Sequence, residues 1–174
     1  MAILKGRQVI DSWSVLISGA KGKAEDIFRD TEEFIKKSGA PNIKMKRRTV
    51  SPGIFKRLLG KKREFLIVTE KGSMKLKPFQ MFINARDYGN NLDVCWYLTY
   101  RIGIKQMLTA LFVPFAAAIQ GILMKLDLFD QQDLRAYVTN AHHCLLEAVE
   151  KLMVSLNQDP SKIDRKSRGF LGIS

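Results

Sequence analysis

His142, His143, Cys144 and Glu147 are the residues of this chain whose types and spacing most suggest chemistry. His143 and Glu147 are four apart, which on a helix puts them on one face, as two metal ligands would be. The pattern is not His-Glu-x-x-His, the chain holds no other histidine, and no further cysteine or carboxylate falls at ligand spacing. No metal and no cofactor is expected. Gly19-Ala20-Lys21-Gly22-Lys23 stands between a strand pattern and a helix pattern, where phosphate loops occur, but it lacks the Gly-Lys-Ser/Thr ending and reads as a tight turn. No serine sits in Gly-x-Ser-x-Gly, and no catalytic dyad or triad stands out. The expectation is a binding protein, not an enzyme.

Charge says more than motif. The net charge is +12, and residues 42–86 carry thirteen Lys/Arg against two Asp/Glu, nearly the whole excess. Such a field attracts phosphate backbones or anionic headgroups. Its centre is Lys44, Lys46, Arg47, Arg48, Lys56, Arg57, Lys61, Lys62 and Arg63, with no acid between Pro41 and Arg63. Within it Ile54, Phe55, Leu58 and Leu59 form an apolar stripe at helical spacing. Apolar side chains ringed by cations suit an interfacial membrane segment, because burial drives insertion while the cations hold headgroups. The other reading has these four capping the core.

A second apolar feature is louder. Between Lys105 and Lys125 lie nineteen uncharged residues, the length of a membrane span. Pro114 would kink a helix there, Gln120 and Gly121 interrupt the second half, and the following helix is needed on the same side of the bilayer as the sheet it covers. The expectation is a non-spanning helical hairpin over 103–127, inserting through residues such as Leu111, Phe112 and Phe115.

These features need elements to position them. Trp13, Val15 and Ile17 alternate in a strand over 12–18. Ile27, Phe28, Thr31, Phe34 and Ile35 recur at helical spacing, with acids in the first turn, lysines in the last, and Gly39 and Pro41 beyond. Strands are then expected over 43–50, 64–70, 75–86 and 92–101, the last two joined at Tyr88-Gly89-Asn90-Asn91. Leu134, Val138, Ala141, Leu145, Ala148, Leu152 and Leu156 mark a helix over 131–156, capped by Asp130.

The predicted fold is α+β: a five-stranded, mainly antiparallel sheet under a long C-terminal helix, in β-α-β4-α order. That order resembles the TATA-binding-protein and helix-grip (START-like) folds. The resemblance implies a curved sheet, and in its helix-grip form a pocket for an apolar ligand between sheet and long helix, lined by Trp96, Leu98 and Tyr100. One domain is expected over 1–158 and a basic tail over 159–174. The tail ends in Phe170-Leu171-Gly172-Ile173, whose Leu-Gly-Ile is similar to the loading peptides of encapsulin cargo proteins. Phe170, Leu171 and Ile173 are the expected docking residues for a partner chain or a second copy. Cys95 and Cys144 are too few for a disulfide framework and read as buried thiols of a reducing cytoplasm. No signal peptide is expected from the first residues. The chain is thus read as a cytoplasmic protein, peripheral to anionic membrane, with nucleic-acid binding through residues 43–63 as the rival.

Overall fold

The computed structural model describes residues 2–3, 7–51, 63–101, 121 and 126–169, with backbone alone at 2, 3, 7, 8, 50 and 51. The order is β1 (Ala2–Ile3), β2 (Arg7–Ile17), α1 (Ala24–Lys37), β3 (Ile43–Ser51), β4 (Arg63–Glu70), β5 (Phe79–Tyr88), β6 (Asn91–Arg101) and α2 (Leu128–Ser155), followed by a 3₁₀ turn at Pro160–Lys162. β2 to β6 form the expected five-stranded antiparallel sheet, and β1 adds two residues in parallel to the β3 edge. The β-α-β4-α order and the covering C-terminal helix are as the sequence pattern indicates. The 103–127 hairpin lies almost wholly outside the described residues.

Inward positions follow the period-two rule. Phe79, Met81, Ile83 and Ala85 of β5 and Leu92, Val94, Trp96 and Leu98 of β6 are buried against Ile27, Phe28 and Ile35 of α1 and the apolar side of α2. Tyr88 pairs with Asn91 across the two-residue turn, and Gly89 takes the positive φ of 63° that such a turn requires. Between the helices the buried Asp30 carboxylate is held by Arg29 at 3.0 Å and Lys151 at 2.9 Å. Burial works against its charge, yet these two cations outweigh burial and leave its pKa below the ordinary value.

The sheet is strongly coiled. Ile3 and Arg7 are four residues apart and so at most roughly 14 Å from each other. Yet Ile3 pairs with Ser51 on one edge strand, whereas Arg7 belongs to the other and sits at the opposite end of the strands. In a flat sheet the four spacings between β3 and β2 alone would separate them by roughly 19 Å. The two edges must therefore curl toward each other.

Four boundaries differ from expectation. The first strand starts at Arg7, not Ser12, and carries a bulge between Val9 and Asp11. β5 starts at Phe79 because residues 74–78 turn, closed by Phe79 N–H donating to the Leu76 carbonyl at 2.9 Å; Pro78 thus precedes the strand. The long helix is capped by Asp127, not Asp130. Asp127 accepts from the Asp130 N–H at 2.9 Å, and the Asp130 carboxylate accepts from the Asp127 N–H at 3.4 Å. Lastly, residues 159–169, set apart from the 1–158 domain as a basic tail, run back along it. Ile163 is buried in the core, and Arg168 N–H donates to the Ser12 carbonyl of β2 at 2.8 Å.

Candidate anionic-surface site

The basic strand β3 divides its cations by alternation. Ile43, Met45 and Arg47 face the helices, whereas Lys44, Lys46 and Arg48 are exposed on the opposite, outer face. Arg47 is consumed by the fold. Its guanidinium reaches Glu32 at 2.6 Å and Glu25 at 2.7 Å on α1, with the Phe28 ring 5.2 Å away. Of the expected anion-binding residues on β3 it is the one turned to the inner face. Lys44, Lys46 and Arg48 have no ion-pair partner among the described residues, and Arg63, also exposed, stands opposite Val50 at the end of the same hairpin. Lys56, Arg57, Lys61, Lys62 and the apolar Ile54, Phe55, Leu58 and Leu59 lie outside the described residues, as do Leu111, Phe112, Phe115, Phe170, Leu171 and Ile173.

Next to the stripe the outer face is apolar. Lys46 pairs with Ile67, Arg48 with Phe65, and Ile67 in turn with Phe82. Phe65, Ile67 and Phe82 form a second buried cluster, separate from the main core, with the two phenyl rings edge-on at 5.9 Å. Further along that face Cys95 is buried, and burial pushes its thiol up to about 11; a Tyr97 hydroxyl beside it is pushed up to about 12, first by the Cys95 charge and then by burial. A thiol so shifted is a poor nucleophile at neutral pH.

Connectivity adds a constraint. Ser51 and Arg63, which flank residues 52–62, stand at one end of the sheet, because Val50 pairs with Arg63. Arg101, which precedes residues 102–125, stands at the other end beside Arg7. The seven steps from Ile43 to Val50 span roughly 23 Å.

The histidine pair is split by burial. His142 is fully buried between Trp13 and Trp96, whose rings lie edge-on at 5.4 Å and 5.6 Å. Trp96 Nε1–H donates to Nδ1 at 2.8 Å, so Nε2 carries the proton and donates to the Arg165 carbonyl at 2.8 Å. Burial lowers its pKa. His142 is a packed, satisfied core group, and among the described residues no three His, Cys, Asp or Glu side chains could hold a metal. Trp96 and Leu98, expected to line a ligand pocket, are fully buried in the packed core, and Tyr100 stacks edge-on to Phe79 at 5.0 Å.

A cleft the sequence did not suggest lies instead against the start of β3. Its volume is about 290 Å³, and Pro41, Asn42, Ile43, Glu70, Asp133 and Tyr137 are among its lining residues. They come from three separate elements, so no local pattern could have announced it. Among the described residues no helix is long and apolar enough to cross a membrane. Set against protein-family models, curated proteins and solved structures, the chain matches none.

Proposed function

We propose that this is a non-enzymatic, cytoplasm-facing binding protein that docks on anionic membrane. The observation that carries the reading is the row Lys44, Lys46 and Arg48, exposed on one side of one strand and without ion-pair partners among the described residues. Alternate residues of a strand are roughly 6.6 Å apart, so the three charges form a line that a field of headgroups can meet together. Each cation near such a surface contributes about 1 kcal/mol, or about fivefold in partitioning.

The pose follows from where the flanking segments start. Contact through both the basic loop (Lys56, Arg57, Lys61, Lys62) and the apolar run 106–124 favours a bilayer lying along the outer face, away from the helices, since the residues that flank those segments stand at opposite ends of the sheet. The cationic row runs along that face, which supports this pose over an end-on one.

Flotation with vesicles of rising phosphatidylserine fraction tests the reading. Binding should rise with the anionic fraction and weaken with salt, and Lys44→Glu/Lys46→Glu/Arg48→Glu should lose it. Indifference to lipid charge would overturn it, as would a salt-sensitive gel shift of RNA or DNA by a protein that does not float.

A further inference from the structure

The two edges of the sheet are treated differently. On the β2 edge the returning chain lies alongside: Arg168 N–H donates to the Ser12 carbonyl at 2.8 Å and Ser167 Oγ–H to Asp11 Oδ2 at 3.0 Å. Gly169 passes so close that a Cβ there would overlap the Asp11 backbone. On the β3 edge Ala2–Ile3 pair only with Val50 and Ser51. Among the described residues no strand takes up Ile43 to Thr49 on that side, and Lys44, Lys46, Arg48 and Thr49 are exposed along it. An edge of this length presents a row of backbone donors and acceptors to any extended chain.

We propose that the β3 edge from Ile43 to Thr49 receives an extended segment of a partner protein that carries acidic residues at alternate positions. Strand addition puts alternate side chains of the guest on opposite faces. Those on the outer face come beside Lys44, Lys46 and Arg48, where carboxylates are attracted and cations repelled. Those on the inner face come beside Ile43 and the about 290 Å³ cleft lined by Pro41, Ile43, Tyr137, Glu70 and Asp133, whose carboxylates disfavour guest acids on that side and whose volume has room for small uncharged side chains. The same charges exclude a second copy of this chain, since edge-to-edge pairing of two β3 strands would set three cations against three. Edge lysines ordinarily act as guards against sticking; here the guard is selective by sign. This inference uses the backbone edge and does not rest on the membrane reading.

The test uses the full chain and a labelled eight-residue peptide alternating Glu with Val, followed by fluorescence anisotropy and amide hydrogen exchange. The expected result is saturable binding that slows exchange at residues 43–49, together with about tenfold weaker binding in Lys46→Glu/Arg48→Glu, whose exposed positions leave the core untouched. A peptide alternating Lys with Val should not bind. Absence of binding by the Glu peptide overturns the proposal, as does binding that leaves exchange at 43–49 unchanged, because charge alone would then hold the peptide. Equal binding of the Lys peptide overturns it too. Vesicle flotation by the same variants reports on the membrane reading separately.

Discussion

The indole N–H of Trp96, at the centre of β6, donates to Nδ1 of His142, in the middle of α2, over 2.8 Å. The bond fixes the histidine tautomer, ties the sheet to its covering helix, and leaves Nε2–H to hold the Arg165 carbonyl of the returning chain. One neutral imidazole thus joins three parts of the fold.

Stability should therefore depend on pH through His142. Its folded pKa is depressed by burial, the largest effect, which the Arg165 carbonyl opposes, with a smaller lowering by the His143 charge and a still smaller raising by Asp11. The unfolded chain then binds the proton more readily, so stability is full above the unfolded value of about 6.5 and falls as pH drops below it. Thermal melts at pH 7.5 and pH 5.5 should differ in the native protein and differ less in His142→Gln, which does not titrate. Asp127, drawn down to about 2 mainly by the Lys75 amine, acts only lower, its stabilisation being lost as pH falls from about 4 toward 2. Identical pH profiles for the two proteins would show that His142 does not carry the dependence.

Removing the returning chain should cost more than a frayed end would. Truncation after Asp159 takes Ile163 from the core, leaves Trp13 Nε1–H without the Asp164 carbonyl at 2.6 Å, and leaves His142 Nε2–H without Arg165. Each buried donor left unpaired costs about 1–3 kcal/mol, so a loss of several kcal/mol is expected in urea unfolding. Deleting only residues 170–174 serves as the comparison and should change stability far less.

Tyr137→Phe should destabilise by about 2 kcal/mol or more. The hydroxyl is fully enclosed where β4 and β5 diverge, donating to the Val68 carbonyl at 2.8 Å and accepting from Met81 N–H at 3.0 Å. Deleting one oxygen leaves two backbone groups unpaired. Denaturant melts would show the shift, with the folded circular dichroism unchanged.

Arg47 and Arg48 should behave oppositely although they are adjacent. Arg47→Ala removes the ties to Glu25 and Glu32 and should lower thermal stability with little effect on vesicle partitioning. Arg48→Ala should leave the melt unchanged and weaken partitioning about fivefold. The opposite assignment would mean that the outer face is not the docking face.

The elements and their order follow from local pattern alone. Period-two runs such as Phe79–Ala85 and Leu92–Leu98, and the recurrence from Leu134 to Leu152, are local signals that burial of one face imposes. The Tyr88–Asn91 turn and Gly39 after α1 were legible for the same reason, since backbone conformation there depends on one or two neighbouring residues. The candidate cations were legible as a charge excess, but not their division. Which of Lys46, Arg47 and Arg48 faces water was decided by the register of β3 on β4 and by the packing of α1, whose Glu25 and Glu32 are distant in sequence. The start of α2 at Asp127 rather than Asp130 was itself a local signal, the capping box of Asp127 and Asp130 three residues apart, to which Lys75 from the β4–β5 connection only adds ion pairs at 2.8 and 2.6 Å. His142 looked like chemistry until Trp13, Trp96 and Arg165 enclosed it from three other parts of the chain. The coil of the sheet, the cleft beside Ile43, and the contrast between a covered and an open edge all depend on contacts between residues far apart in sequence. Tertiary structure decided them because pairing and enclosure are set by what the rest of the fold brings alongside, which no local periodicity encodes.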